Sequence, residues 1–187
     1  MIILITGATH TGKTKLAQRL LEKHHYPYLS LDHLKMGLIR SDQTDLTPED
    51  DDRLIAYLWP IAREMIKTAI ENDQHLIVEG CYIPFTWQKD FSKSYLRSIR
   101  FICLAMTDEY IDTRYEKIAA HAGDIESRLD DSYLDKELLK RDNRLYIDGC
   151  QKHNLPLCLI NDDYEEALDT LLETLIEPDQ KKSSPLR

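Results

Sequence analysis

The sequence predicts a three-layer α/β protein, a parallel five-stranded sheet with helices on both faces. Two observations carry this. Five short apolar runs alternate with helical patterns along the 187 residues, and strands alternating with helices imply a parallel sheet covered on both sides. The first run also breaks into a glycine-rich turn that opens a helix, a place where such sheets collect ligands.

The elements follow in order. The runs at residues 2–6, 28–31, 75–79, 98–104 and 156–160 are each about the length of a buried strand. A helix over 12–24 places Leu16, Ala17, Leu20 and Leu21 on one face, among Lys15, Gln18, Arg19 and Glu22. A second long helix begins near Thr47, which can cap, with Pro48 in the first helical position and acids in the first turn. Its apolar stripe is Leu54, Leu58, Ile61, Met65 and Ala69, and Pro60 inside it predicts a kink or two helices. Further helices are expected over 108–121 and 132–153. The last, over 164–176, turns Ala167, Leu168, Leu171, Leu172, Leu175 and Ile176 inward. Residues 1–176 therefore read as a single domain, and "EPDQKKSSPLR" at 177–187 as a flexible tail with too little apolar content to pack.

Composition narrows the function. Hydrophobic residues make up 42% and charged residues 30%, an ordinary globular mixture. The net charge of −9 argues against broad nucleic-acid binding, yet allows a small anion held by a few placed cations. No apolar stretch approaches the roughly 20 residues that span a bilayer, and "MIILITG" is too short for a signal peptide. The expectation is a cytoplasmic protein with no membrane, nucleic-acid or protein partner. Cys81, Cys103, Cys150 and Cys158 form no C-x-x-C pair and read as reduced thiols rather than metal ligands.

The strongest motif is Gly7-Ala8-Thr9-His10-Thr11-Gly12-Lys13-Thr14, which fits G-x-x-x-x-G-K-[ST] between a strand and a helix. Glycines let the backbone wrap a phosphate, and successive N–H groups with the helix N-terminus face the anion. Lys13 reaches the β- and γ-phosphates and Thr14 ligates Mg²⁺, so ATP and magnesium are the expected cofactors. The loop identifies a donor, not an acceptor.

The acceptor side offers two carboxylates. Asp32 follows the second strand, where it can accept a proton from a substrate hydroxyl or hold magnesium through water. It would serve equally as N-cap for a helix over 33–40, and His33 beside it reads as a surface or capping neighbour. Glu79 ends the third apolar strand, where a buried acid needs partners such as a magnesium shell, a substrate hydroxyl or a salt bridge. Tyr82, Pro84, Phe85 and Trp87 follow and can wall an acceptor pocket, with core packing as the alternative. Beyond the fourth strand lie Arg114, Arg128, Arg141 and Arg144. Arginine's fork suits phosphate oxygens, and surface pairing with Asp130, Asp131, Asp135 or Glu137 is the competing assignment. The polar, glycine-containing segment 120–131 reads as a short lid.

With these residues in view, the chain up to about residue 176 resembles the P-loop small-molecule and nucleoside monophosphate kinases. That resemblance implies sheet order 2-3-1-4-5. Glu79-Gly80 followed by Cys81-Tyr82-Ile83-Pro84-Phe85 is similar to the Asp-Gly and aromatic-Pro-Arg segment of adenylate kinases, but the arginine that holds a monophosphate is missing. "TDEYIDTR" matches their nucleotide-side helix at Asp108, Glu109 and Arg114, which implies that Arg114 stacks on adenine. The family's second arginine falls on Ile118, beside Lys117. "RLDD" looks like the end of their lid at Arg128, Asp130 and Asp131, and Arg141 is nearest to a further lid-side arginine. Asp32 is placed like the proposed base of the zeta-toxin and chloramphenicol-phosphotransferase-like kinases, and "LIVEGCYIP" is similar to 2-phosphoglycerate-kinase-like proteins. The expected activity is transfer of the γ-phosphoryl group of ATP to a small hydroxylated acceptor. Lys13, Asp32, Arg128 and Arg141 are expected to be catalytic, and Asp32, Glu79 and Tyr82 to contact the acceptor. A nucleoside monophosphate kinase, a nucleotide-dependent switch and a non-catalytic ATP-binding module are the alternatives.

Overall fold

The computed structural model describes residues 1–120 and 135–176. Its five strands, β1 (Ile2–Gly7), β2 (Tyr28–Ser30), β3 (Leu76–Glu79), β4 (Ile99–Met106) and β5 (Leu157–Ile160), form one parallel sheet in the order β2-β3-β1-β4-β5. This is the expected order. Every residue of β1 is buried, because it lies at the centre of the sheet with helices on both faces.

Alternation along β1 divides the core in two. Ile2 and Leu4 face α3 (Asp51–Glu71) and part of α6 (Lys136–His153), in a cluster with Leu54, Leu58, Ile66 and Tyr146. Ile3 and Ile5 face α1 (Lys13–His24) and α7 (Tyr164–Thr174), packing with Leu16, Leu20, Leu168 and Leu172. Successive side chains of a strand point to opposite faces, so one uninterrupted apolar run supplies both layers. A smaller cluster joins α5 (Asp108–Ala120) and α6 to the ends of β4 and β5 through Tyr110, Ile111, Leu139 and Ile160.

Several local expectations need correction. Helix α3 starts at Asp51, with Asp50 in the N-cap position, not at Pro48. Asp50 Oδ2 accepts from Thr47 N at 2.8 Å and from Thr47 Oγ1 at 3.2 Å, which ties 47–50 into a turn ahead of the helix. Pro60 does not divide α3, which runs as one element of 21 residues. After Pro60 the inward row is Ala62 and Ile66, while Met65 is 41% exposed. An unbroken helix continues the i, i+4 row from Leu54 and Leu58, which leads to 62 and 66 rather than 61 and 65. Beside that row, Trp59 Nε1 donates to Asp90 Oδ2 at 2.7 Å, anchoring the helix to the turn Trp87–Asp90.

The segment between β3 and β4 adds that 3₁₀ turn and the short α4 (Lys93–Leu96), neither anticipated from the apolar pattern. The expected lid at 120–131, with Arg128, Asp130 and Asp131, falls almost wholly outside the described residues, as does the tail. Among the described residues no helix is long and apolar enough to cross a membrane, and all four cysteines are free thiols.

Candidate functional site

The site is built at the carboxyl ends of β1, β3 and β2. Strand β1 ends at Gly7, residues 8–12 form the loop, and α1 opens at Lys13. Gly12 turns the chain with φ of +83°, and a Cβ there would come within 1.8 Å of the Tyr164 hydroxyl. Glycine is needed on both counts. Inside the loop, Thr11 is fully buried and its Oγ1 donates to Ala8 O at 2.7 Å. Its hydroxyl therefore braces the loop. Lys13 Nζ donates to the same carbonyl at 2.8 Å, which folds its ammonium over the loop. The Thr9 hydroxyl and His10 Nδ1 are 3.0 Å apart.

One loop donor departs from expectation. The N–H of Thr9 is taken by Asp142 Oδ2 at 2.6 Å, across 133 residues of sequence. Asp142 lies on α6, and this charge-assisted bond ties that helix to the loop. Next to it, Asn143 is fully buried, accepts from Met106 N at 2.7 Å and donates to Leu139 O at 2.8 Å. Together these two residues fix α6 at the carboxyl edge of the sheet.

Glu79 ends β3, in register with Ile5 of β1 and Ser30 of β2, and is 1% exposed. Its Oε2 lies 3.4 Å from Thr14 Oγ1, so the buried acid meets the loop hydroxyl. Beyond it Thr6 Oγ1 donates to Gly80 O at 2.9 Å. Gly80 has φ of +147°, and a Cβ on it would sit 2.8 Å from Leu31 Cβ. The glycine thus lets α2 (Leu31–Arg40) start directly against the end of β3.

That approach places Asp32. It is the second residue of α2, with Ser30 in the N-cap position and no side-chain cap, so Asp32 is not the N-cap. Its Oδ1 instead pairs with Lys35 Nζ at 2.9 Å, one helical turn on, while its side chain stays 37% exposed. Lys35 Nζ also donates to the Tyr82 hydroxyl at 2.8 Å and stands 5.2 Å from the ring centroid. Tyr82 is buried, and burial raises its phenol pKa, with Cys81, Asp32 and Asp51 acting in the same direction. It is a neutral phenol at physiological pH. Burial likewise pushes the Cys81 thiol up to about 11, opposed by the charge of Lys13. Asp51, at the start of α3, belongs to the same neighbourhood: desolvation raises its carboxyl, Lys35 opposes, and Asp142, Asp52 and Asp32 add to the rise.

The structure therefore sets Glu79 against Thr14, and separately brings together Asp32, Lys35 and Tyr82. The remaining aromatics do not join them. Trp87 is buried and stacks on Phe101 at 5.5 Å, and Phe85 packs against Tyr146 and His153. Those rings fill core between β4 and α6 rather than facing Asp32. Arg114 on α5 and Arg141 on α6 are exposed, whereas Arg144 is paired with Asp108. Lys35, Asp51 and Asp142 were missed by the sequence reading. Lys35 carried a signal, its i+3 spacing from Asp32, but the other two reach the site only through tertiary packing. Among the described residues no group of three or more His, Cys, Asp or Glu side chains forms a metal site.

No family model and no curated protein matches the sequence. Solved structures do match in fold. A provisionally assigned kinase from Chloroflexus aurantiacus J-10-fl aligns at a TM-score of 0.52 and 21% identity, over 91% of this chain and 95% of that one. A shikimate kinase from Aquifex aeolicus VF5 aligns at 0.51 and 15% identity, over 94% and 96%. A deoxyadenosine kinase from M. mycoides aligns at 0.53 and 13% identity, over 94% and 98%. The chain has the α/β fold of the P-loop kinases.

Proposed function

We propose that the chain is an ATP-dependent phosphotransferase that moves the γ-phosphoryl group to a hydroxyl of a small-molecule acceptor. The observation that carries this is the pairing of two constellations at one sheet edge. The loop hydroxyl of Thr14, next to Lys13 in the chain, meets the buried Glu79, and the partly exposed carboxylate of Asp32 sits in the first turn of α2, just past the end of β2, held by Lys35.

In this reading the backbone of 7–14 cradles the phosphates and Lys13 offsets charge on the transferring group. Thr14 and Glu79 present hard oxygens suited to magnesium, which reaches such sites with the nucleotide and its own waters rather than in an all-protein cage. When bound, the ion neutralises phosphate charge. Asp32 takes the proton of the acceptor hydroxyl as that oxygen bonds to the γ-phosphorus and ADP leaves. Arg114 contacts the nucleotide base, and Arg128 and Arg141 approach the transferred group. Kinase neighbours of similar fold support the reaction class, and the acceptor is chosen by Asp32, Lys35 and Tyr82 rather than by the loop.

The test is ATP consumption across a panel of sugars, phosphoglycerates, nucleosides, nucleotides, aminocyclitols and phenicols. Lys13→Ala should lower phosphoryl transfer roughly 10²–10³-fold while leaving the fold intact. Full activity in that variant refutes the assignment. Steady ATP hydrolysis that no acceptor stimulates favours a switch, and ATP binding without any turnover favours a binding module.

A further inference from the structure

We propose that Lys35 is the positioning residue of the acceptor side, holding Asp32 by one oxygen so that the other is presented to the attacking hydroxyl. This rests on the phosphotransferase reading above and adds a residue to it.

The geometry has three parts. Lys35 Nζ is 2.9 Å from Asp32 Oδ1 and donates to Tyr82 Oη at 2.8 Å, so the ammonium bridges α2 and the segment after β3. Its side chain is only 12% exposed, against 37% for Asp32. The lysine is thus the sheltered member of the pair and the carboxylate the open one. Tyr82 is 2% exposed, and its phenol is kept neutral by burial, so it orients Lys35 as a dipole without competing for its charge. An ordinary i, i+3 surface pair has neither feature, since both partners are solvated and the lysine is free to swing.

The consequence is chemical. An aspartate next to a helix start has several rotamers, and a base must meet its proton within about 2.6–3.2 Å. Gripping Oδ1 removes most of that freedom and leaves Oδ2 outside the pair, on a side chain that stays 37% exposed. Glu79 cannot substitute, because it is buried against Thr14. Gly80 completes the arrangement by letting Leu31 pack at the end of β3, which sets the height of Asp32 and Lys35.

The experiment uses the full chain with MgATP as probe. It compares wild type with Lys35→Met, Lys35→Arg, Tyr82→Phe, Asp32→Asn and the Asp32→Asn/Lys35→Met double variant. ATP affinity is measured by titration, turnover by ATP hydrolysis with water as acceptor, and the Lys35 ammonium by ¹⁵N NMR. Thermal unfolding checks that each variant is folded. Lys35→Met should lower turnover roughly 10–10²-fold, as a small displacement of a reacting group does, with ATP affinity within about twofold. Lys35→Arg should recover a large part of the loss. Tyr82→Phe should show a smaller loss of the same kind, and Lys35→Met should add nothing once Asp32 is Asn. The ammonium signal should change in Asp32→Asn and in Tyr82→Phe. Turnover of Lys35→Met within twofold of wild type, or full additivity with Asp32→Asn, overturns the positioning role and leaves the kinase reading standing. Wild-type protein that neither binds nor turns over ATP overturns both.

Discussion

Gly80→Ala tests the central structural claim, that a missing Cβ sets the height of α2 and thereby of Asp32. Two costs are readable. The φ of +147° is strained for any residue with a Cβ, and that Cβ would stand 2.8 Å from Leu31 Cβ and 3.4 Å from Leu31 Cγ. Leu31 is fully buried at the head of α2, so it has little room to yield. Backbone strain of about 1–3 kcal/mol and overpacking of about 1–3 kcal/mol predict a loss of roughly 2–6 kcal/mol. For a chain of this size, at about 2–4 °C per kcal/mol, that lowers the unfolding midpoint by roughly 4–24 °C. The same push displaces Asp32 and Lys35, and a misplacement near 1 Å lowers turnover about 10²-fold. Urea unfolding and ATP turnover measure the two effects in one preparation. Leu31→Gly, unlike Leu31→Ala, removes the Cβ that stands at 2.8 Å and so relieves the clash, and the Gly80→Ala/Leu31→Gly double variant should be at least about 1 kcal/mol more stable than the sum of the single variants. Unfolding free energy within roughly 0.5 kcal/mol of wild type and unchanged turnover in Gly80→Ala would falsify the reasoning.

Other variants probe separate parts of the molecule. Asp32→Asn should reduce turnover roughly 10²–10⁴-fold, the usual range for a positioned base; a drop below tenfold in steady-state kinetics removes it from the chemistry. Asn143→Ala leaves the buried Met106 N–H and Leu139 C=O without their side-chain partner. It should destabilise by about 1–3 kcal/mol per buried group left unmet, read from denaturant unfolding, and a neutral result refutes its bracing role. Asp51 keeps an exposed surface, but partial desolvation raises its folded-state carboxyl above the ordinary value of 3.8, helped by Asp142, Asp52 and Asp32 and opposed by Lys35. The stability linked to the protonated form is therefore fully present below that ordinary value and is lost as pH rises through the raised one. Asp51→Asn should gain stability relative to wild type between pH 3 and pH 7. A difference that stays constant across that range shows that Asp51 does not titrate in this way.

The sequence by itself determined the fold and the glycine-rich loop between β1 and α1, and the reason is that both are local codes. Apolar runs of strand length alternate with helical periodicity, and G-x-x-x-x-G-K-[ST] specifies a turn, a cation and a hydroxyl within eight residues. Glu79 was legible too, since an acid at the end of an apolar strand must find partners, and it meets Thr14. The start of α3 was misread because a side chain decided it: Asp50 takes the donors of Thr47 in a turn. The inward row beyond Pro60 was misread because the helix continues through the proline. The aromatic stretch was ambiguous for another reason. Tyr82, Phe85 and Trp87 are alike in composition, yet Trp87 finds Phe101 of β4 and Phe85 finds Tyr146 of α6, and only Tyr82 turns to Lys35. Sequence spacing cannot say which ring faces which neighbour, because those neighbours lie on other elements. Asp142 is the clearest case. Nothing near it in the chain marks it, but packing of α6 at the sheet edge brings its carboxylate to the N–H of Thr9. Tertiary structure alone decided which groups surround Asp32, since Lys35, Tyr82, Asp51 and Asp142 come from α2, the segment after β3, α3 and α6 and gather only when the sheet assembles.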